Sequence, residues 1–496
     1  MTETNRPSKP SNPRIAILGA GLSGMCMGIQ LLKNGFTDFT IFEKADTVGG
    51  TWRENTYPGV ACDVPSHLYS FSFARNPDWS EAYSSGSEIQ AYCEKIASDY
   101  GILPHCRFNR RVVSAVHGAS GWTLTLEDGE QADFDMVVTA IGGLHTPAFP
   151  DIPGHADFTG PAFHSAEWRH DVSLSGKRVG VIGSAASAVQ LVPEIADTVA
   201  SLTVFQRTPN WVLPRQNYKI SGWAKKLMRR FPVLSLLRRA KIYSMSEFIT
   251  FRVFRENSFM QKLVRRHARN YIKKTVADKS LQQKLTPDYP IGCKRILVVD
   301  GYLETLQQEH VTLHTDGIAE ITATGVTDKT GSHHEFDVLI FATGFEPFNF
   351  LDHLEVANTE GTSLKQAWDD KIVAHRTVSV AGFPNLFMLL GPNSGLGHNS
   401  VILMIEAQVR YIISALTQMQ QKGLTRIAPK QDRQDAYSQS IQEGLKGMVW
   451  NGNCASWYKN GISGETDQNH TLWPHSTYRY MREMQHIDLA EYETDA

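Results

Sequence analysis

Residues 14–24, RIAILGAGLSG, decide the fold of this 496-residue chain. The apolar run before the glycines predicts a short buried strand, and a helical pattern follows from Met25 to Asn34. Between them lies the spacing Gly-x-Gly-x-x-Gly. Gly19 permits the tight turn, Gly21 lets a pyrophosphate approach the backbone, and Gly24 lets the helix pack close to the strand. Because the helix also presents its first amides to the phosphates, the stretch predicts a dinucleotide-binding unit.

The next strand, Phe39 to Phe42, ends at Glu43, which stands 24 residues after Gly19. A carboxylate at this place accepts hydrogen bonds from both hydroxyls of an unmodified ribose. The alternative is an ordinary glycine-rich turn, but that alternative gives no reason for the strand, the helix and the acid. The first unit is therefore predicted to bind FAD or NAD.

A weaker copy of the pattern occurs at residues 177–188, where KRVGVI precedes GSAASA. Alanine replaces two of the glycines and is still small enough for close packing. Arg207 and Thr208 follow the predicted strand Leu202 to Phe205, and Arg207 stands 24 residues after Gly183, the same offset as in the first unit. An arginine beside a threonine suits a 2′-phosphate. We therefore predict that the second unit binds NADPH; the alternative for Arg207 is a plain surface charge.

Two later strands, Phe134 to Ala140 and Phe336 to Ala342, each follow an acidic hairpin region and close the two units. The chain is expected to cross between the units near 145–150 and near 343–350. The predicted fold class is α/β, with two Rossmann-like dinucleotide-binding domains (FAD and NADP) and an inserted helical subdomain. The predicted segments are a disordered lead at 1–12, the FAD-binding domain at 13–147 and 346–496 with a mobile C-terminal loop, the NADP-binding domain at 148–212 and 291–345, and a basic helical insert at 213–290.

Composition and charge exclude several classes of protein. The chain is 42% hydrophobic with a net charge of −2, so it has material for buried cores and no overall attraction for nucleic acid. No uninterrupted apolar run approaches the roughly 18 residues of a membrane span, and the polar N-terminus lacks a signal-peptide pattern. The six cysteines form no C-x-x-C pair, which argues against a zinc site and a disulfide framework. We expect a reduced, cytoplasmic, soluble protein without a metal site.

The insert is strongly basic. Residues 219–274 contain 16 Lys or Arg and only two acids, Glu247 and Glu256, a local charge of +14. Its apolar residues recur with helical spacing, at Leu227, Phe231, Leu234 and Leu237 and again at Phe251, Phe254, Phe259 and Leu263. The sequence leaves three roles open: a solvated basic face, steering of NADPH, or a weak contact with a membrane surface.

Two further stretches make the prediction specific. Residues 49–63, GGTWRENTYPGVACD, and residues 158–168, FTGPAFHSAEW, resemble the fingerprints of type I Baeyer–Villiger monooxygenases. The resemblance runs from residue 13 to about 485. One position departs from it: Arg169 follows Trp168 where that family usually has Pro or Asp. This departure leaves room for the related monooxygenases that oxidise nitrogen or sulfur.

The resemblance implies an NADPH- and O2-dependent flavin monooxygenase that converts ketones to esters or lactones through a C4a-peroxyflavin, with side sulfoxidation. Arg295 matches the family's arginine that stabilises the peroxide, as a permanently charged guanidinium can. Asp63 matches the carboxylate that orients this arginine. The alternative for the two is a structural ion pair. His164 and Trp168 are expected in the linker between the units, with a structural role.

The motifs and the resemblance together imply two sets of cofactor contacts. For FAD they are Gly19, Gly21, Ser23, Gly24, Glu43, Thr51, Trp52, Asp63, Tyr69, the backbone of Val112, and Val401 after the loop at 391–400. For NADP they are Gly183, Ser184, Ala185, Ala186, Ser187, Arg207, Thr208, Lys294 and Trp457. The alternative for the 391–400 loop is a simple turn, and the alternative for Trp457 is a core position.

Two other functions fit the sequence less well. A two-dinucleotide disulfide reductase needs a pair of redox cysteines, whereas Cys62 stands alone. A non-catalytic FAD-binding protein would have no need of both Asp63 and Arg295. The sequence does not identify the ketone, because the pocket residues come from loops and from the insert.

Overall fold

The structure, a computed structural model, describes residues 12–346, 349–369, 371–451, 458, 460–461, 464–465 and 468–495. Residues 1–11 of the predicted lead lie outside these residues, and so does Trp457. Two five-stranded parallel sheets form the centre of the fold, as the two glycine-rich turns predict.

The first sheet is built around the strand that precedes Gly19. Its strands, in spatial order, are Leu386–Met388, Met136–Thr139, Ile15–Leu18, Phe39–Phe42 and Cys106–Arg107. The middle strand is apolar without interruption because both of its faces are buried. The helices Leu22–Lys33 and Val401–Lys422 pack together on one face. The other face meets a four-stranded sheet of Glu355–Ala357, Val112–Gly118, Gly121–Leu126 and Gln131–Phe134.

The second sheet repeats this plan. Its strands, in spatial order, are Val311–His314, Ser201–Phe205, Arg178–Ile182, Val338–Phe341 and Ala162–His164. The helix Ala186–Ile195 follows Gly183 and packs on the sheet. A three-stranded sheet of Ile318–Thr322, Gly325–Asp328 and His333–Glu335 leads into the closing strand. These observations confirm the predicted fold class.

The insert is helical, as predicted. Its helices are Gly222–Arg230, Pro232–Phe248, Phe259–Thr275 and Lys279–Leu285, with a 3-10 helix at Thr250–Phe254. The other described α-helices are Thr51–Glu54, Gly86–Asp99, Tyr302–Thr305, Leu364–Ala367, Gln431–Leu445 and Thr477–Glu483. Two antiparallel strand pairs are formed by Arg426–Pro429 with Tyr492–Asp495 and by Asn460–Gly461 with Gly464–Glu465.

One predicted strand differs in the structure. The strand expected from Phe134 to Ala140 is interrupted at Asp135, because the chain leaves the four-stranded sheet at Phe134 and enters the first parallel sheet at Met136. The Asp135 carboxylate accepts the backbone N–H of Arg14 at 2.7 Å. Outside the two parallel sheets, Leu297–Val298 pairs with Val212–Leu213, and this ribbon joins the two ends of the insert.

The two crossings between the units run side by side. The amide of Ala148 donates to the carbonyl of Gly344 at 2.9 Å, and the amide of Glu346 donates to the carbonyl of Thr146 at 3.1 Å. The two segments predicted as crossings therefore form one two-stranded connection. The domain boundaries remain a prediction.

Two findings bear on the expectations from composition. The helix Val401–Lys422 is long and apolar enough to cross a membrane, although 67% of its 18-residue apolar window is buried in the fold. It contains no uninterrupted apolar run of that length, because Glu406 and Arg410 interrupt the pattern. Cys293 is disulfide-bonded, contrary to the expectation of a fully reduced protein, and the spacing of the cysteines alone does not determine such a pairing.

Candidate active site

The first glycine-rich turn has the geometry that a pyrophosphate requires. A Cβ on Gly19 (φ +108°) would lie 2.7 Å from the carbonyl oxygen of Ala140, and one on Gly24 would lie 1.9 Å from that of Gly19. For Gly21, by contrast, the nearest heavy atom is the Cα of Gly50 at 3.6 Å. The helix also begins at Gly21 without a side-chain cap, which leaves its first amides for a ligand. The turn therefore fits a dinucleotide.

The second turn is built in the same way. A Cβ on Gly183 (φ +115°) would lie 2.3 Å from the carbonyl oxygen of Ala342. The helix that follows begins at Ala185, again without a side-chain cap, and Ala185 and Ala186 are exposed. Ser184 is buried, and its carbonyl accepts the Asn210 amide at 3.0 Å. Among the other described α-helices, four also lack a side-chain cap, and seven have a capping Ser or Asp, at Ser85, Ser221, Ser258, Asp278, Ser363, Ser400 and Ser476.

Glu43 stands beside the first turn and supports it. Its Oε2 accepts the amide of Ala20 at 2.8 Å, and its Oε1 accepts that of Ala45 at 3.1 Å. Arg53, a residue of the GGTWRE stretch that no sequence prediction includes, lies 3.2 Å from Oε1. Oε2 accepts only the Ala20 amide among these contacts and has a further lone pair, so the arrangement is compatible with a ribose hydroxyl.

The strand register shows that Glu43 and Arg207 do not occupy equivalent positions in the two units, although both stand 24 residues after the first glycine of their motif. Leu18 pairs with Phe42, an offset of 24 residues, whereas Ile182 pairs with Phe205, an offset of 23. Gln206, and not Arg207, therefore takes the register position of Glu43. Gln206 is buried and donates to the carbonyl of Lys284 at 2.8 Å, while Arg207 follows it on the exposed surface.

Arg207 has a second cation near it. Burial lowers the pKa of the Lys294 ammonium, and the charge of Arg207 lowers it further. The Lys294 Nζ also lies 5.1 Å from the centre of the Tyr289 ring. Thr208 follows Arg207 in the chain and is half-buried. Two neighbouring cations and a hydroxyl fit a phosphate, which would compensate both charges.

Arg295 and Asp63 meet although 232 residues separate them. Nε and Nη2 of the guanidinium both donate to Asp63 Oδ2, at 3.0 and 2.6 Å. Within the part of the chain that the structure describes, no hydrogen bond engages Nη1. Asp63 raises the pKa of Arg295 further, so the guanidinium is charged at every working pH. The side chains are 43% and 26% exposed, respectively, so the pair is accessible to a ligand.

The YPG part of the 49–63 stretch packs against the NADP unit. The Tyr57 hydroxyl donates to Gln190 Oε1 at 2.9 Å, and the Gln190 amide donates to the Ala61 carbonyl at 3.0 Å. Gly59 (φ +80°) has no room for a side chain, because a Cβ would lie 2.5 Å from the Gln190 carbonyl oxygen. This contact joins the two units close to Asp63. No sequence motif points to Gln190.

Trp52 and Tyr69 form a second contact in this region. The Trp52 indole N–H donates to the Tyr69 hydroxyl at 3.1 Å, and both side chains are half-buried. The segment around Tyr69 is held by Arg239 of the insert, whose Nη1 donates to three buried carbonyls, those of His67, Leu68 and Ser70. The insert thus positions a predicted FAD contact through an arginine that belongs to no recognisable motif.

His164 is a packed residue, as expected, but it lies in a strand of the NADP sheet and not in a linker. It is fully buried between Phe149 and Phe345, one residue from each crossing, and the distances from the centre of its ring to the centres of theirs are 5.5 and 5.8 Å. Burial lowers its pKa to about 4, so it is neutral near pH 7. Trp168 packs edge-on against Phe163.

The other predicted flavin contacts lie at the starts of elements. Val112 opens the strand Val112–Gly118, Val401 opens the long helix, and Thr51 opens a short one. In the 391–400 loop, Gly391 and Gly395 pass close to other backbone, with Cβ positions 2.4 and 2.8 Å from the carbonyl oxygens of Thr377 and Thr471. Packing alone therefore accounts for these two glycines.

One group with metal-ligand chemistry occurs among the described residues, although no metal was predicted. His314 Nε2 and His334 Nε2 lie 3.0 and 2.8 Å from Asp328 Oδ2. The other oxygen of Asp328 accepts the amides of Thr330 and Ser332 and closes a turn. This network accounts for the carboxylate without a metal, and the absence of a metal stays a prediction.

Comparisons with known proteins agree with this geometry. The flavin-binding monooxygenase-like family model matches residues 12–440. A Baeyer–Villiger monooxygenase of Pseudomonas aeruginosa is 41% identical over 495 residues, which cover 99% of this chain and 93% of that protein. The crystal structure of OTEMO with FAD and NADP has a TM-score of 0.87 and 26% identity, covering 98% of this chain and 100% of that one. Cyclohexanone monooxygenase from Rhodococcus sp. Phi1, bound to NADP+, has a TM-score of 0.88 and 25% identity, with the same coverage.

Fold, site and comparisons agree: the chain belongs to the flavin-binding monooxygenase-like family, and within it to the Baeyer–Villiger monooxygenases. It is an enzyme whose cofactors are FAD and NADPH. Its reaction is a Baeyer–Villiger oxidation with molecular oxygen.

Proposed function

We propose that this enzyme acts in the cytoplasm on a small-molecule ketone and gives an ester or a lactone, with Arg295 as the catalytic residue and Asp63 as the residue that positions it. The ion pair between the two carries the proposal. The pair holds a permanent positive charge at the place where the FAD unit contacts the segment that follows the insert. Among the described residues, no hydrogen bond engages Nη1 of Arg295.

When bound, the flavin takes a hydride from NADPH and supplies the activated oxygen. The chain contributes electrostatic stabilisation. Negative charge develops first on the attacking oxygen and then on the former carbonyl oxygen, and a fixed guanidinium stabilises both. Because Asp63 engages Nε and Nη2, the plane of Arg295 is set before the ketone arrives, and Nη1 can donate to the reacting oxygen.

Arg207, Thr208 and Lys294 are proposed to hold the 2′-phosphate and so to select NADPH. The proximity of the two cations supports this role. The remaining FAD contacts are proposed at Gly19, Gly21, Ser23, Gly24, Glu43, Thr51, Trp52, Tyr69, Val112 and Val401, and the remaining NADP contacts at Gly183, Ser184, Ala185, Ala186 and Ser187. Trp457 stays a prediction outside the described residues.

A panel of linear, cyclic and aryl ketones, with a thioether and an amine, tests this proposal. Holoenzyme is assayed for NADPH consumption, with products identified by gas chromatography. We expect ester or lactone from at least one ketone, and we expect Asp63→Asn to weaken this reaction more than sulfoxidation. Asp128→Asn, which removes an exposed carboxylate paired with Arg110, is the matched control. Oxidation of the thioether or the amine alone would show that the enzyme is a heteroatom oxygenase.

A further inference from the structure

The helix Pro232–Phe248 of the insert is inverted in polarity relative to an ordinary surface helix, because its buried residues are polar and its large apolar residues are exposed. Its buried face is polar: Ser235 and Arg239 are buried one turn apart, and Glu247 is buried at the end. Arg239 donates to backbone carbonyls of residues 67–70, and Glu247 accepts from the Thr477 hydroxyl and the Tyr478 amide. These polar contacts, together with Leu234, which packs against the hydrophobic core, attach the helix to the rest of the protein.

The side of this helix opposite Ser235 and Arg239 is apolar and faces solvent. We call it the apolar face; its large side chains are between 49% and 63% exposed and are Val233, Leu236, Leu237, Met245 and Phe248. They recur at i, i+3, i+4, i+12 and i+15, which places them on one half of the helix surface. A surface helix in water normally buries such a face, so this one lacks its partner.

Exposed apolar side chains concentrate in this part of the molecule. Of the 16 large apolar side chains exposed among the described residues, 11 lie between residues 218 and 263. Neighbours of the apolar face contribute some of the most exposed, Trp223 at 72% and Phe259 at 77%. The helices that carry them contact the inverted helix directly or through the 3-10 helix Thr250–Phe254.

The charge around the apolar face is almost entirely positive. Of the 16 Lys and Arg in residues 219–274, only Arg229 forms an ion pair with a carboxylate in the described part of the chain, with Asp78. One of the two acids, Glu247, is buried and turned away from solvent. Apart from the buried Arg239, the remaining cations of the insert are exposed or half-buried, and they form no ion pair with a carboxylate among the described residues.

We propose that the apolar face is a docking surface for an anionic lipid bilayer. Apolar side chains can enter the interfacial region while the flanking lysines and arginines contact lipid phosphates. A second copy of this chain is a poorer partner, because two surfaces of equal positive charge would face each other. Such docking would bring the enzyme to a phase in which apolar ketones concentrate, but the binding itself does not depend on the proposed reaction.

The test is flotation of holoenzyme with vesicles of phosphatidylcholine alone and of phosphatidylcholine mixed with phosphatidylglycerol. We expect binding to the anionic vesicles that weakens as salt rises, because salt screens the attraction. Leu236→Gln/Leu237→Gln keeps good helix formers and should lower the affinity at least about tenfold. Leu103→Gln, at an exposed leucine outside the insert, is the matched control and should bind as wild type does. Lys226→Glu/Lys241→Glu should also weaken binding, whereas Lys329→Glu should not.

Unchanged flavin absorbance and unchanged NADPH oxidation in buffer will show that the variants are folded. Three outcomes overturn the proposal: no binding to anionic vesicles, equal binding to both kinds of vesicle, or full binding by the double leucine variant. A dimer in sedimentation velocity that Leu236→Gln/Leu237→Gln dissociates, without lipid binding, would instead assign the face to a second copy of the chain.

Discussion

Arg295 donates two hydrogen bonds to a single oxygen of Asp63, from Nε at 3.0 Å and from Nη2 at 2.6 Å. Asp63 follows the YPG segment that packs on Gln190 of the NADP unit, and Arg295 lies just before the ribbon that joins the ends of the insert. The pair therefore connects the FAD unit with the exit of the insert, and its geometry depends on how both are placed.

Arg295→Ala should abolish ester formation while NADPH oxidation continues. Removing one preorganised donor to a developing negative charge typically costs about 10²- to 10³-fold in rate. Hydride transfer depends mainly on the position of the nicotinamide, so the electrons should be lost as hydrogen peroxide. Ester is measured by gas chromatography, and NADPH and peroxide by absorbance. Arg110→Ala removes a half-buried arginine that is paired with Asp128 and should behave as wild type. Ester formation near the wild-type rate in Arg295→Ala would refute the role of this residue.

Arg207→Ala should weaken NADPH binding and leave NADH binding nearly unchanged. The loss of charged hydrogen bonds to the 2′-phosphate costs roughly 1.5–3 kcal/mol, or about 10- to 150-fold in affinity. Flavin reduction in stopped-flow, with each nucleotide over a range of concentrations, gives both apparent affinities. Lys177→Ala changes an exposed cation of the same domain and serves as control. Equal losses with both nucleotides would mean that Arg207 does not contact the 2′-phosphate.

Gly21→Ala and Gly24→Ala should fail in different ways. A Cβ on Gly24 would lie 1.9 Å from the Gly19 carbonyl oxygen, so we expect this variant to misfold or aggregate. At Gly21 the nearest atom is 3.6 Å away, so the protein should fold but bind FAD poorly, since the methyl group occupies the pyrophosphate approach. Circular dichroism reports folding, and the flavin content of the purified protein reports binding. A folded Gly21→Ala protein that contains its full complement of FAD would contradict the assignment of Gly21 to the pyrophosphate site.

Glu247 should make the attachment of the insert sensitive to acid. Burial alone would raise its pKa, but hydrogen bonds from His398 and Thr477 outweigh burial and lower the pKa from 4.5 to about 2. A carboxylate with a lowered pKa in the folded state stabilises the fold above its unfolded pKa. This contribution is fully present above pH 4.5 and is lost as the pH falls toward 2.

Urea unfolding between pH 7 and pH 3 measures this effect. Glu247→Gln should be less stable than wild type at pH 7, and its stability should fall less on acidification. Glu256→Gln, at the exposed acid of the same insert, should keep the wild-type pH dependence. If Glu247→Gln and wild type lose stability in parallel, Glu247 does not carry the acid sensitivity.

Much of the fold could be predicted from the sequence because its signals are local. The strand, the glycine spacing and the helix of each dinucleotide unit lie within 25 residues, where backbone sterics and hydrophobic periodicity determine the outcome. For the same reason Gly19, Gly24 and Gly183 have the conformations and close contacts that the motif requires. Residues 49–63 and 158–168 likewise indicate the family through residue types and spacings that lie within one short stretch each.

Only the tertiary structure decided the contacts between distant segments. Equal spacing suggested that Arg207 is the counterpart of Glu43, but the strand register gives that position to Gln206. Gln190 and Arg239 have no local signature, since each is defined by the backbone it meets more than 100 residues away. The inverted insert helix shows the same limit. Hydrophobic periodicity predicts a helix through Leu234 and Leu237, but Leu234 packs on the core and only Leu237 belongs to the apolar face. Which side of the helix is buried depends on where Arg239 and Glu247 find their partners.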